Sequence, residues 1–113
     1  MSQEKVTRED LLQAILQHEN VSTVEIKKIT IPKGMASGKH LHPCPVVGYI
    51  VSGNVLFQED GKDQQLLKAG DAFYEPKNKT ILHFDNGSTD EPLVFIAFYL
   101  KEANEDLIKM LNE

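Results

Sequence analysis

Four histidines (His18, His40, His42 and His83) and one cysteine, Cys44, are the side chains here best suited to hold a metal. His40 and His42 form a His-x-His pair. On an extended strand, residues two apart point to the same face, so both imidazoles can converge on one point, as a metal ion requires. Two strand histidines can equally be ordinary structural residues, and the pair alone does not decide between these readings. Cys44 lies two residues further and would point the same way if the strand ran on, offering a soft thiolate ligand. Pro43 and Pro45 flank it and disturb regular pairing, which favours a small buried residue instead. Asp71, Glu75, Asp85 and Asp90 border turns. A catalytic carboxylate must face the pocket, and Glu75, just before Pro76, borders a turn. His18 falls at the end of a predicted helix, where a cation complements the helix dipole, and reads as structural.

The elements that must position these groups are mostly strands. Residues Thr7 to His18 are the exception: Thr7 and Asp10 resemble a capping box, and Leu11, Leu12, Ile15 and Leu16 recur at helical spacing. From Val21 to Ile31 the period changes to β-branched alternation, which Pro32 and Gly34 end. Short strands follow at Val46–Val51, Val55–Glu59, Gln64–Leu67, Ala72–Glu75, Thr80–Phe84 and Leu93–Leu100. Turn signals separate them, Asp60-Gly61 being the clearest hairpin. Asn104 to Leu111 reads as a short helix capped by Asn104. The pattern predicts an all-β sandwich or barrel over residues 21–101. A helical segment over 1–20 and a C-terminal helix over 102–113 complete a single domain.

The chain has 113 residues, enough for one core without staples. Hydrophobic residues make up 41% and charged residues 26%, a globular balance that excludes a wholly disordered chain. The net charge of -5 argues against a nucleic-acid backbone as partner. The longest apolar run, Leu93 to Leu100, is too short to span a bilayer. One cysteine allows no internal disulfide, and no signal-peptide core opens the sequence, so a cytoplasmic location is expected.

The spacing of the motifs resembles the cupin family. Gly34, five residues, His40-Leu41-His42 and later Gly53 reproduce much of the first cupin motif, and Gly70 through Pro76 is similar to the start of the second. The resemblance runs from Pro32 to about Leu100. It implies a double-stranded β-helix, or jelly-roll barrel, holding a divalent transition metal such as Zn, Fe, Ni, Mn or Cu. Two positions depart from the motifs. The glutamate of the first should fall at Val46 or Val47. In the second, the glycine position is Asn78 and the histidine position Ile81. His83 shares strand parity with Ile81, so the expected metal ligands are His40, His42 and His83.

A site of histidines without that carboxylate would carry extra positive charge and favour anionic ligands. The resemblance thus implies a metal-binding protein of small-molecule metabolism, dioxygenase-like or isomerase- or lyase-like, acting on a small anionic substrate. The alternative is a non-catalytic cupin that binds or senses a metal or small ligand, and a third reading is purely structural. Fold alone does not choose among these. The exposed edge expected of Val21 to Ile31 suggests a homodimer; neither nucleic acid nor membrane is expected as a partner.

Overall fold

A computed structural model describes residues 5–111. Among them the chain forms strands and no helix: β1 (Thr23–Ile31), β2 (His40–Leu41), β3 (Val46–Ser52), β4 (Asn54–Glu59), β5 (Gln65–Lys68), β6 (Ala72–Glu75), β7 (Ile81–Asn86), β8 (Leu93–Lys101) and β9 (Lys109–Met110). They build two antiparallel sheets. One has the order β1-β8-β3-β6, the other β5-β4-β7-β2-β9.

The two sheets face each other across an apolar core, as period-two alternation dictates. In β8, Leu93, Phe95, Ala97 and Tyr99 are buried, while Val94, Ile96, Phe98 and Leu100 take the other face. The run Leu93–Leu100 is therefore apolar on both faces. Phe57, Phe73, Phe84 and Phe95 pack in tilted and edge-on pairs with centroids 4.8 to 6.4 Å apart, the geometry that aromatic quadrupoles favour. Gly48 makes room for this cluster: a Cβ there would collide with the Phe73 ring and the Ile96 carbonyl. Asn86 pins the loops at one end, its amide reaching the carbonyls of Ile31, Pro32 and Glu91 at 2.9 to 3.1 Å.

Neither expected terminal helix forms. Residues 5–22 carry no helix, and Gln17 and His18 sit at left-handed φ of 31° and 60°. A lone helix of this length is marginal in water. Leu11, Leu12 and Leu16 instead share a hollow of about 450 Å³ with the outer-face residues Val47, Tyr49, Phe98 and Leu100. The C-terminal segment is claimed by the sheet: His40 pairs with Met110 and Leu41 with Lys109, and the Leu111 amide donates to the Lys39 carbonyl. Ala103, at φ 58°, turns the chain from β8 toward β9. Residues 112–113 of the expected helix, and residues 1–4 of the N-terminal segment, lie outside the described residues.

Candidate metal centre

His40 and His42 are both buried and project into the space between the sheets from β2 and the residue after it. The left-handed backbone of Gly38 (φ 87°) aims its carbonyl at His40, whose Nδ1–H donates to it at 2.8 Å. His42 Nδ1–H donates to the Leu107 carbonyl at 2.6 Å. A carbonyl can only accept, so each ring carries its hydrogen on Nδ1 and turns Nε2 inward. Both Nε2 atoms face one carboxylate. Glu75 Oε2 lies 3.3 Å from His40 and Oε1 lies 3.4 Å from His42. The ligand atoms of His40, His42 and Glu75 all fall within 4.8 Å of one another.

Glu75 is the residue the sequence reading missed. It is 4% exposed, not a solvated turn residue. Its inward direction follows from β6 itself, because Phe73 is buried two residues earlier. Across the sheet Glu75 is the direct partner of Val46, a position where the first motif would place its glutamate. The carboxylate is thus present, moved one strand sideways. Ile81, at the second motif's histidine position, pairs with His40.

His83 is not brought to this group, contrary to the expected ligand set. Its side chain is 48% exposed, and its Nδ1 meets Asp85 Oδ2 at 2.8 Å. The cause is a bulge in β7. Gln58 pairs with His83 and Glu59 with Ile81, leaving Leu82 as an extra residue. One extra residue reverses parity, so Ile81 points in and His83 points out. Cys44 is fully buried in the apolar core and stands outside the ligand group. Burial, aided by the charge of Glu105, pushes its thiol up to about 11. Asn78, at the motif's glycine position, keeps the left-handed backbone that glycine would supply (φ 60°), and Asn tolerates it better than most residues. Its amide donates to the His42 carbonyl at 2.8 Å, holding the end of the His-x-His segment.

Charge is balanced tightly here. Burial alone would lower the His40 pKa, but the hydrogen bonds to Glu75 and the Gly38 carbonyl outweigh it and hold His40 above its ordinary 6.5. Burial alone would likewise raise Glu75, yet the two imidazoles hold it below its ordinary 4.5. With neutral rings, two lone pairs and two carboxylate oxygens would point at one another. Such a group demands a cation at its centre, either a metal or shared protons. The donor chemistry fits a divalent transition metal.

Beside this group lies a cavity of about 160 Å³, walled by Ile29, Ile31, Val46, Phe84, Phe95, Ala97 and Ile108, with Ser37 and Tyr99 as the other polar side chains. The Tyr99 ring packs edge-on against His42, centroids 5.8 Å apart. Burial, then the nearby Glu75 charge, pushes its phenol up to about 12, so it keeps its proton.

The cupin domain profile matches residues 27–99, more than half of the chain. The chain belongs to the cupin family. Solved structures similar to this cupin include a cupin-like protein from Thermotoga maritima, 25% identical over 78% of this chain and 64% of that one, with a TM-score of 0.66. The DMSP lyase DddQ from Ruegeria pomeroyi is 20% identical over 77% of this chain and 42% of its own, TM-score 0.66. A mutant of the oxalate decarboxylase OxdC from Bacillus subtilis is 24% identical over 79% and 24%, TM-score 0.68. The last two likenesses show the fold alone, and the chain spans less than two thirds of each of these three proteins. No curated protein sequence matches the chain. Among the described residues no helix is long and apolar enough to cross a membrane.

Proposed function

We propose that this cupin holds one divalent transition metal on His40, His42 and Glu75 and uses it to bind and transform a small molecule. The convergence of two Nε2 atoms and both Glu75 oxygens on a single buried point carries this reading. Two imidazoles and one carboxylate, with positions left open, form the donor set of facial non-haem iron(II) sites; manganese, nickel, zinc and copper are also compatible. When bound, the ion would supply Lewis-acid activation of a small ligand or of water. The lyase and decarboxylase folds named above fit a catalytic role, as analogy only.

The chain's own residues prepare that chemistry. The Gly38 and Leu107 carbonyls fix both rings in the tautomer that frees Nε2. Phe84, Phe95 and Ile108 line the cavity with apolar surface, which keeps bulk water from the reacting atoms. Tyr99 holds a proton on its phenol oxygen at the cavity wall. The cavity beside the ligands favours turnover or specific ligand binding over a purely structural role. A cytoplasmic setting suits the reduced thiol of Cys44.

The test is elemental analysis of protein purified without chelator, beside His42→Ala and Glu75→Gln. The expected outcome is about one transition-metal ion per chain in the parent and strong loss in both variants. Equal metal content in all three would overturn the assignment of these ligands.

A further inference from the structure

We propose that the ligand admitted to this centre is a compact molecule with one singly anionic, metal-chelating head and an apolar body, and that dianions are disfavoured. This rests on the metal reading above and goes beyond it to the class of ligand.

Size comes first. A cavity of about 160 Å³ has room for about five waters, which suits an acid of a few carbons. Charge comes next. A divalent ion beside the Glu75 carboxylate leaves one net positive charge, enough to balance one anionic head. The remaining wall has nothing for a second. Among the described residues no lysine or arginine lines the cavity, whose surface includes Ile29, Ile31, Phe84, Phe95 and Ile108 with Ser37 and Tyr99 as further polar groups. Lys27 and Lys101 have the same strand parity as the core-facing residues of β1 and β8, but Glu25 engages both, at 3.0 and 3.4 Å. A second carboxylate would therefore lose its water with no partner in return, the costly case for a buried charge. The apolar wall rewards carbon instead, each added CH₂ tightening binding until the cavity is full. The general preference for anions expected from a carboxylate-free site is narrowed because Glu75 restores the carboxylate.

The experiment uses the full chain loaded with Co(II), whose visible spectrum reports ligand binding without turnover. Two probes, 2-oxobutanoate and malonate, match in heavy-atom count and both chelate through two oxygens. They differ in charge: malonate chelates through both carboxylates and puts two charges on the metal, whereas 2-oxobutanoate chelates through one carboxylate and its keto oxygen and turns an alkyl tail to the apolar wall. Each dissociation constant is compared with that for aqueous Co(II). The protein should shift the preference toward 2-oxobutanoate by at least about tenfold, and lengthening pyruvate to 2-oxobutanoate should tighten binding about fourfold. A preference unchanged or shifted toward malonate, or no gain from the added methylene, overturns the ligand class while leaving the metal site standing. Absence of any protein-bound cobalt spectrum overturns the metal reading and this one with it.

Discussion

Both oxygens of Glu75 are committed to imidazoles, so its replacement tests the centre most directly. Glu75→Gln keeps the shape but removes the charge. It should weaken metal binding beyond the roughly 10- to 100-fold that loss of a supporting partner costs, measured by competition with a chromophoric chelator. His83→Ala, at an exposed position whose side chain meets Asp85, should leave the same titration unchanged within about twofold. The contrast between Glu75 and His83 also marks what the sequence could reveal about the site. His40 and His42 were legible because period two needs no tertiary information. Glu75 was in principle legible from Phe73 by the same rule, but its place before Pro76 read as a turn. His83 was not legible, because the extra residue Leu82 that reverses its direction leaves no trace in composition. Cys44 gives a pH test. With its thiol pushed up to about 11, the reactive thiolate is scarce near neutral pH. Alkylation of the folded protein should be slow at pH 8, accelerate only well above the ordinary thiol range, and become fast at pH 8 once urea unfolds the chain. Equal rates for folded and unfolded protein would contradict the burial.

At the scale of elements, β9 and the turn before it act on the site from outside the barrel strands. Leu107 supplies the acceptor that orients His42, Ile108 supplies part of the cavity wall, and among the described residues β9 is held to β2 by two residue pairs and the flanking hydrogen bond from Leu111 to Lys39. Ending the chain after Asp106 should therefore spare the barrel but lower metal affinity by about 10- to 100-fold, with thermal unfolding of the metal-free protein as the control for fold. The strands were readable because alternation and turn residues agree locally. The terminal helices were misread for the opposite reason: Leu11, Leu12, Ile15 and Leu16 do recur at helical spacing, but the sheet's outer face offers apolar surface that no local rule can see. Tertiary contact overrides weak propensity here.

For the whole molecule, the four-stranded sheet presents a second apolar surface on its outside. Val24, Ile26, Tyr49 and Val51 are exposed, with Ile96, Phe98 and Leu100 on the same face. The N-terminal segment shares only part of it. A contiguous apolar face of this kind, bounded by the edge strand β1, suits a second copy of the chain packed about a two-fold axis. Light scattering at micromolar concentration should give the mass of a dimer, and Ile26→Asp should give that of a monomer; a monomeric parent would remove the prediction.

The register between β1 and β8 runs from Thr23 opposite Lys101 to Ile31 opposite Leu93, so nearly the whole barrel sequence separates partners in one ladder. Such non-local pairing makes folding slow to begin. On the ribosome, β1 must wait without its neighbour until β8 has emerged, and His42 waits longer still for Leu107. The His40, His42 and Glu75 group is therefore not assembled when the His-x-His segment first appears. On the proposed reading, the ligand group is complete only once Leu107 has reached His42, and which metal fills it would depend on what the surrounding pool offers then.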